Sequence, residues 1–65
     1  MIVRDYYFAA WAIDQGIQYR IEGRNVILDC DASCIHRLKV DYRNTAKPAF
    51  DRVREIHRLI NDSNR

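Results

Sequence analysis

The N-terminal part of the chain carries an apolar run that predicts a helix. Asp5 precedes eight consecutive apolar residues, Tyr6 to Ile13, and Gly16 follows them where a helix stop is expected. Part of this run follows the helical period, and the remaining residues widen the apolar surface beyond one stripe. The pattern predicts a helix from Asp5 to Gln15 that is buried on more than one side.

Beyond Gly16 the hydrophobic pattern changes to strict alternation. Residues 17–22 alternate between apolar and polar, Gly23-Arg24-Asn25 supplies turn residues, and residues 26–28 are apolar again. This predicts a two-stranded antiparallel hairpin with one face toward the core. Because an isolated two-stranded hairpin is only marginally stable, helices must cover that face.

The second half of the chain predicts two amphipathic helices. Asp31 is the expected N-cap of the first, and Thr45 is the expected N-cap of the second, with Pro48 tolerated in its first turn. The tail at residues 62–65 is expected to fray. The element order is therefore α-β-β-α-α, and we expect one α+β domain over 1–65 in which three helices cover one face of the hairpin.

Size and hydropathy limit the classes of function. A chain of 65 residues buries only about 60% of the surface that its unfolded form exposes, so little structure remains to build a deep cleft. This argues against a free-standing enzyme. The longest apolar run has eight residues, which is too short to span a bilayer. We expect a mature cytoplasmic protein without membrane association.

The order of these elements and several residues within them resemble a known family. The N-terminal helix contributes an Asp, an aromatic residue, two Ala and a terminal Gly. The hairpin follows it, and the end of the second helix and the last helix contribute the remaining residues. The residues that carry the resemblance are Asp5, Tyr7, Ala9, Ala10, Gly16, Tyr42, Phe50, Val53, Arg54 and Ile56. This pattern resembles a family of very small domains of unknown function common in bacteriophages, prophages and other bacterial mobile elements. The resemblance covers nearly the whole chain and implies a mobile-element setting and a shared fold, but no catalytic residue.

The soft metal ligands of the chain are two cysteines and two histidines: Cys30, Cys34, His36 and His57. Their spacing is not that of a zinc ribbon or finger, and on a helix Cys34 and His36 project about 200° apart. Cys34 and His57 could act as nucleophile and base only with a loop that stabilises the oxyanion, and the sequence contains no Gly-rich loop of that kind. We therefore expect no metal, no cofactor and no catalytic residue, and two cysteines that remain thiols in a reducing compartment.

Basic residues concentrate in the second half. Residues 1–34 hold three basic and five acidic residues, net −2, whereas residues 35–65 hold eight and four, net +4. Phosphate contact needs several cations on one surface, and the candidates are Arg37, Arg43, Lys47, Arg54 and Arg58. Asp51 and Glu55 interrupt this stripe on the last helix, so a solvated face with internal ion pairs is the competing interpretation.

The aromatic set is larger than one small core requires. Tyr and Trp are enriched at protein interfaces because they bury a large area at low entropy cost. The candidate interface residues are Tyr7, Trp11, Tyr19 and Tyr42. The alternative is that Trp11 and some of the tyrosines belong to the core, with their polar tips at the surface.

These observations favour a non-enzymatic protein-binding module, encoded by a phage or mobile element, that inhibits or adapts a host protein complex such as a defence or nucleic-acid-processing machine. The alternative is a small DNA- or RNA-binding protein that uses the basic C-terminal helices. A homodimer through the first helix is a further expectation, because a chain this small gains stability by sharing its core.

Overall fold

The computed structural model describes residues 1–45 and 49–63, and these form three helices and three strands. In chain order the elements are β1 (Ile2–Val3), α1 (Tyr6–Asp14), β2 (Tyr19–Glu22), β3 (Asn25–Leu28), α2 (Ala32–Thr45) and α3 (Phe50–Ser63). The α+β class is confirmed. The predicted order lacked the N-terminal strand.

The three strands form one antiparallel sheet in the order β1-β3-β2. β2 and β3 are the predicted hairpin, with Tyr19 opposite Leu28 and a turn at which Gly23 has a φ of 62°, a conformation that favours glycine. β1 pairs with the other side of β3, Ile2 opposite Ile27. The prediction of a two-stranded sheet is therefore wrong. The sequence did not indicate β1, because a strand of two residues has no periodicity and is defined only by its pairing with a distant strand.

Helix α1 lies at the centre of the core. Asp5 caps it by accepting hydrogen bonds from the backbone N–H groups of Tyr7 and Phe8 at 3.1 and 3.2 Å, and Gln15 is its C-cap, as predicted. All six residues from Phe8 to Ile13 are buried, which confirms burial on more than one side. A homodimer through α1 would therefore depend mainly on the exposed Tyr7.

Helix α3 packs along α1 through an apolar seam of Val53, Ile56 and Ile60, all buried. An ion-pair network ties the two helices together at one end, where Arg52 contacts Asp14 at 3.0 Å and Glu55 at 2.9 Å. The hydrogen bond to Asp14 raises the pKa of Arg52 above its usual value.

The expected N-cap of α3 is wrong. Thr45 is the last residue of α2, where its hydroxyl donates to the backbone carbonyl of Asp41 at 2.8 Å. A Thr hydroxyl can hydrogen-bond to the backbone at the start of a helix or at its end. A Thr between two helices therefore does not show by itself which of the two helices it belongs to. Pro48 lies outside the described residues, and α3 begins at Phe50.

The expectation of two free thiols is also wrong, because Cys30 and Cys34 are joined by a disulfide. Cys30 follows β3, and Asp31 caps α2 by accepting the backbone N–H of Cys34 at 2.8 Å. This tight connection places the two Cα atoms 5.6 Å apart, within the range that a disulfide spans.

Candidate functional site

The four aromatic residues predicted at an interface do not share one surface. Trp11 is 8% exposed and belongs to the core, so the core alternative holds there. Tyr19 and Tyr42 are partly buried and pack against that core. Tyr7 is 51% exposed and meets the ring of Phe50 edge to face, with centroids 6.3 Å apart.

The predicted phosphate-contacting residues are also dispersed. Arg54 forms an ion pair with Asp51 at 2.6 Å, which agrees with the competing interpretation of a solvated, internally paired face. Arg37 and Arg43 are both exposed on α2, but they project about 120° apart around the helix. Arg58 lies on α3, and Lys47 lies outside the described residues.

A groove of about 470 Å³ opens between β1 and α2, within the volume range of ligand-binding clefts. We call it the β1–α2 groove. Its lining joins the chain segment around β1, one side of α2 and one residue of α1: Met1, Ile2, Val3, Arg4, Asp5, Phe8, Ile35, Lys39, Tyr42 and Arg43.

The floor of the β1–α2 groove is apolar and rigid. Phe8 and Ile35 are 3% and 4% exposed. The ring of Tyr42 packs against Phe8 at a centroid distance of 5.4 Å and against Trp11 at 5.6 Å. Tyr42 thus belongs to both the aromatic core and the groove wall, and the shape of the floor is set by the core itself.

The rim of the groove is positively charged. Lys39 and Arg43 lie one turn apart on α2, and Arg4 faces the same groove from the end of β1. The guanidinium of Arg4 donates a hydrogen bond to the amide oxygen of Asn25 at 3.3 Å. This leaves its charge unneutralised but holds the group at Asn25, which does not itself line the groove. Within residues 1–45 and 49–63, Lys39 and Arg43 form no ion pair. Asp5 also lines the groove, and its carboxylate, which caps α1 through neutral backbone N–H groups, keeps its negative charge. The cations outnumber it, so the rim is positive on balance.

The β1 side of the groove is the edge of a sheet. The ammonium group of Met1 donates to the carbonyl of Leu28, and the N–H of Leu28 donates to the carbonyl of Met1. Residues of an antiparallel strand alternate in the direction of their backbone groups. Since Met1 points these groups toward β3, Ile2 points its N–H and C=O away from β3, toward the free edge.

Sequence reasoning identified part of this groove. Tyr42 and Arg43 were candidates, but in two separate sets. Lys39 belongs to the basic second half of the chain but is not among the selected phosphate-contact candidates; its spacing of four residues to Arg43 is the signal that pairs the two on α2. Arg4 gave no signal, because only the pairing of β1 with β3 brings it to the groove.

Two further observations concern metals and membranes. Within residues 1–45 and 49–63, no three His, Cys, Asp or Glu side chains are placed to hold a metal ion. His57 instead meets the ring of Tyr6 edge to face at 5.0 Å. None of the helices in that part of the chain has the length and apolar character needed to cross a bilayer.

Comparisons with protein-family models, with curated proteins and with solved structures give no match to this chain.

Proposed function

We propose that the chain is a small protein-binding module that acts without catalysis and captures an extended acidic segment of a partner protein in the β1–α2 groove. The captured segment pairs with the free edge of β1 as an added strand. In this mode of recognition, backbone hydrogen bonds supply affinity and side-chain pockets supply specificity.

The observation that carries the proposal is the unneutralised positive rim over an apolar floor. Lys39 and Arg43 have no acidic partner in the described part of the chain, and Arg4 contacts only a neutral amide. Carboxylates on a partner would neutralise these charges. Apolar side chains on the other face of the same strand would cover the floor, since successive strand residues point to opposite faces.

The biological form of the proposal is an inhibitor or adaptor of a host protein complex, encoded by a phage or mobile element. This part rests on the family resemblance given above. A groove that binds a short exposed segment suits either role, because it needs only one accessible acidic strand on the target.

The charge arm of the test uses a short peptide in which Val alternates with Glu, and its affinity is measured by fluorescence anisotropy. We expect Lys39→Glu with Arg43→Glu to lower the affinity at least about tenfold. Each groove substitution is also made singly, and Arg37→Glu is then the matched control, because it makes the same change in net charge. Arg37 is an exposed cation of the same helix that projects about 160° away from Lys39. The control is expected to retain binding within about twofold.

The backbone arm of the test compares Ile2→Pro with Ile2→Ala. Proline removes the outward N–H that an added strand needs, and an edge strand tolerates proline where that group faces solvent. Alanine removes the same side chain and keeps the N–H. We expect a loss of affinity at least about fivefold greater for proline than for alanine.

Two outcomes would overturn the proposal. If Arg37→Glu weakens binding as much as the groove variant, the peptide is held by overall charge and not by the groove. If single-stranded oligothymidine of equal charge binds more tightly than the peptide, and the groove variant abolishes that binding, the groove is a nucleic-acid site and the alternative function holds.

A further inference from the structure

A second groove, of about 780 Å³, lies where β3 leads into α2. It is separate in its chemistry from the β1–α2 groove, because its wall contains the Cys30–Cys34 disulfide. Both cysteines are partly exposed. Both also line this open groove, and Cys30 packs against the core on its other side.

We propose that the Cys30–Cys34 disulfide is a thiol–disulfide exchange site that accepts small thiols and favours those with a positive charge. A thiolate attacks Sγ of Cys30, forms a mixed disulfide there and releases Cys34 as a thiolate, which takes a proton from water. A second thiol attacks the sulfur of the bound thiol, which releases Cys30 and a small-molecule disulfide. The chain gains two electrons and two protons, and the two thiols lose them.

The position of Cys34 sets the direction of attack. Cys34 is the third residue of α2, in its first turn, and its N–H donates to the N-cap Asp31. The positive end of a helix dipole stabilises a thiolate in the first turn. Cys34 is therefore the better leaving group, and the incoming sulfur bonds to Cys30.

The structure on both sides of the disulfide is held by other bonds. The N–H of Asp29 donates to the carbonyl of Gln18 at 2.9 Å, and the N–H of Ile35 donates to the carbonyl of Asp31 at 2.9 Å. The N-cap bond from Cys34 to Asp31 is also independent of the sulfur atoms. Reduction therefore leaves β3 and α2 in place, and the two thiols stay close enough to reoxidise.

The charges around the disulfide give it a preference among thiols. Asp29 and Asp31 flank Cys30 in the sequence, line the same groove and are exposed. The lining also holds two cations. The charge of Arg20 is offset by Glu22, 3.6 Å away, whereas the ammonium group of Met1 donates to the neutral carbonyl of Leu28 and keeps its charge. Asp29 and Asp31 outnumber that one uncompensated cation. The two carboxylates therefore attract a cationic thiol and repel an anionic one.

The test measures reduction of the intact chain by cysteamine, which is cationic, and by glutathione, which is anionic. Free thiols are alkylated at intervals and counted by mass spectrometry. We expect reduction under native conditions, an unchanged far-UV circular dichroism spectrum and full reoxidation. Fragmentation of the trapped intermediate is expected to place the mixed disulfide on Cys30.

The charge preference is tested with Asp29→Asn and Asp31→Asn together, since asparagine preserves the N-cap. We expect the ratio of the cysteamine rate to the glutathione rate to fall at least about threefold at low salt. Asp41→Asn together with Asp62→Asn is the control. Both carboxylates are exposed and neither lines this groove, so the pair changes the net charge equally and should leave the ratio unchanged.

Three results would overturn the inference. The disulfide could resist both thiols until urea unfolds the chain, which would make it a purely structural bond. The mixed disulfide could form on Cys34. The rate ratio could be the same in the Asp variant, in which case the carboxylates do not select the thiol.

Discussion

At the residue scale, Tyr42 connects the core to the β1–α2 groove. Its ring contacts Phe8 and Trp11, two residues that are almost fully buried, and it also lines the groove. Aromatic rings in such arrangements contribute packing energy beyond the area that they bury. The groove floor therefore cannot change shape without disturbing the core, which makes the groove a preformed site.

Removing the Tyr42 ring is expected to destabilise the chain. Tyr42→Ala should lower the free energy of unfolding by about 2 kcal/mol, since the ring is partly buried and leaves a cavity beside Phe8 and Trp11. Tyr42→Phe should change it by less than about 0.5 kcal/mol, because the hydroxyl has no hydrogen-bond partner among the described residues. Urea unfolding followed by tryptophan fluorescence measures both.

The control for this prediction is Tyr7→Ala. Tyr7 is 51% exposed and its ring meets that of Phe50 edge to face, so its removal should cost less than about 1 kcal/mol. A loss for Tyr7→Ala equal to that of Tyr42→Ala would contradict the assignment of Tyr42 to the core.

At the element scale, β1 is the shortest element and yet it defines one wall of the groove. Its two residues point to opposite faces of the sheet: Val3 is 8% exposed and belongs to the core, whereas Ile2 is 60% exposed. A short edge strand offers few free backbone groups, which limits unwanted pairing with other chains. The same shortness restricts strand addition to a short segment of a partner.

The register of β1 gives a paired prediction. Val3→Asp places an unpaired carboxylate in the core and should cost at least about 3 kcal/mol in the free energy of unfolding. Ile2→Asp places the same group at the surface and should change it by about 0.5 kcal/mol or less. Thermal unfolding by circular dichroism distinguishes the two. Equal losses for the two variants would mean that β1 does not pair with β3 in this register.

At the scale of the whole molecule, local signals predicted the helices well. The Asp5 and Asp31 caps and the helical spacing of apolar residues located α1 and α2 to within a residue. These signals act over a few residues, so they are readable in the sequence. β1 was missed because only its pairing with β3 identifies it as a strand. Its partner Val26 is more than twenty positions away in the chain.

The site was less predictable than the fold, for the same reason. Arg4 and Lys39 are far apart in the sequence, and only the packing of α2 against α1 and the pairing of β1 bring them to one groove. The disulfide was missed because the prediction of free thiols followed from the expected reducing compartment and not from the spacing of the two cysteines. It forms because Cys30 lies outside α2 and the chain turns at Asp31.

At the scale of the whole molecule, charge predicts how binding of the acidic peptide depends on the salt concentration. The chain has a net charge of +2, and the excess of cations over the Asp5 carboxylate in the groove would account for the proposed attraction to an acidic segment. Raising NaCl from about 50 to about 500 mM should weaken binding of the Val-Glu peptide about tenfold, because screening acts over distances of a few ångströms at high salt. Stability should change by less than about 1 kcal/mol over the same range, since exposed ion pairs contribute little.

The variant with Glu at positions 39 and 43 separates the two effects. With the groove charge reversed, the groove repels the acidic peptide, so raising the salt should no longer weaken the remaining binding and should slightly strengthen it. Arg37→Glu should retain the dependence seen in the unmodified chain. Anisotropy titrations at each salt concentration measure this, and urea unfolding in the same buffers confirms that the folded population is constant. If binding by the unmodified chain does not depend on salt, then the positive rim does not hold the acidic segment, and contact with the apolar floor alone must account for the affinity.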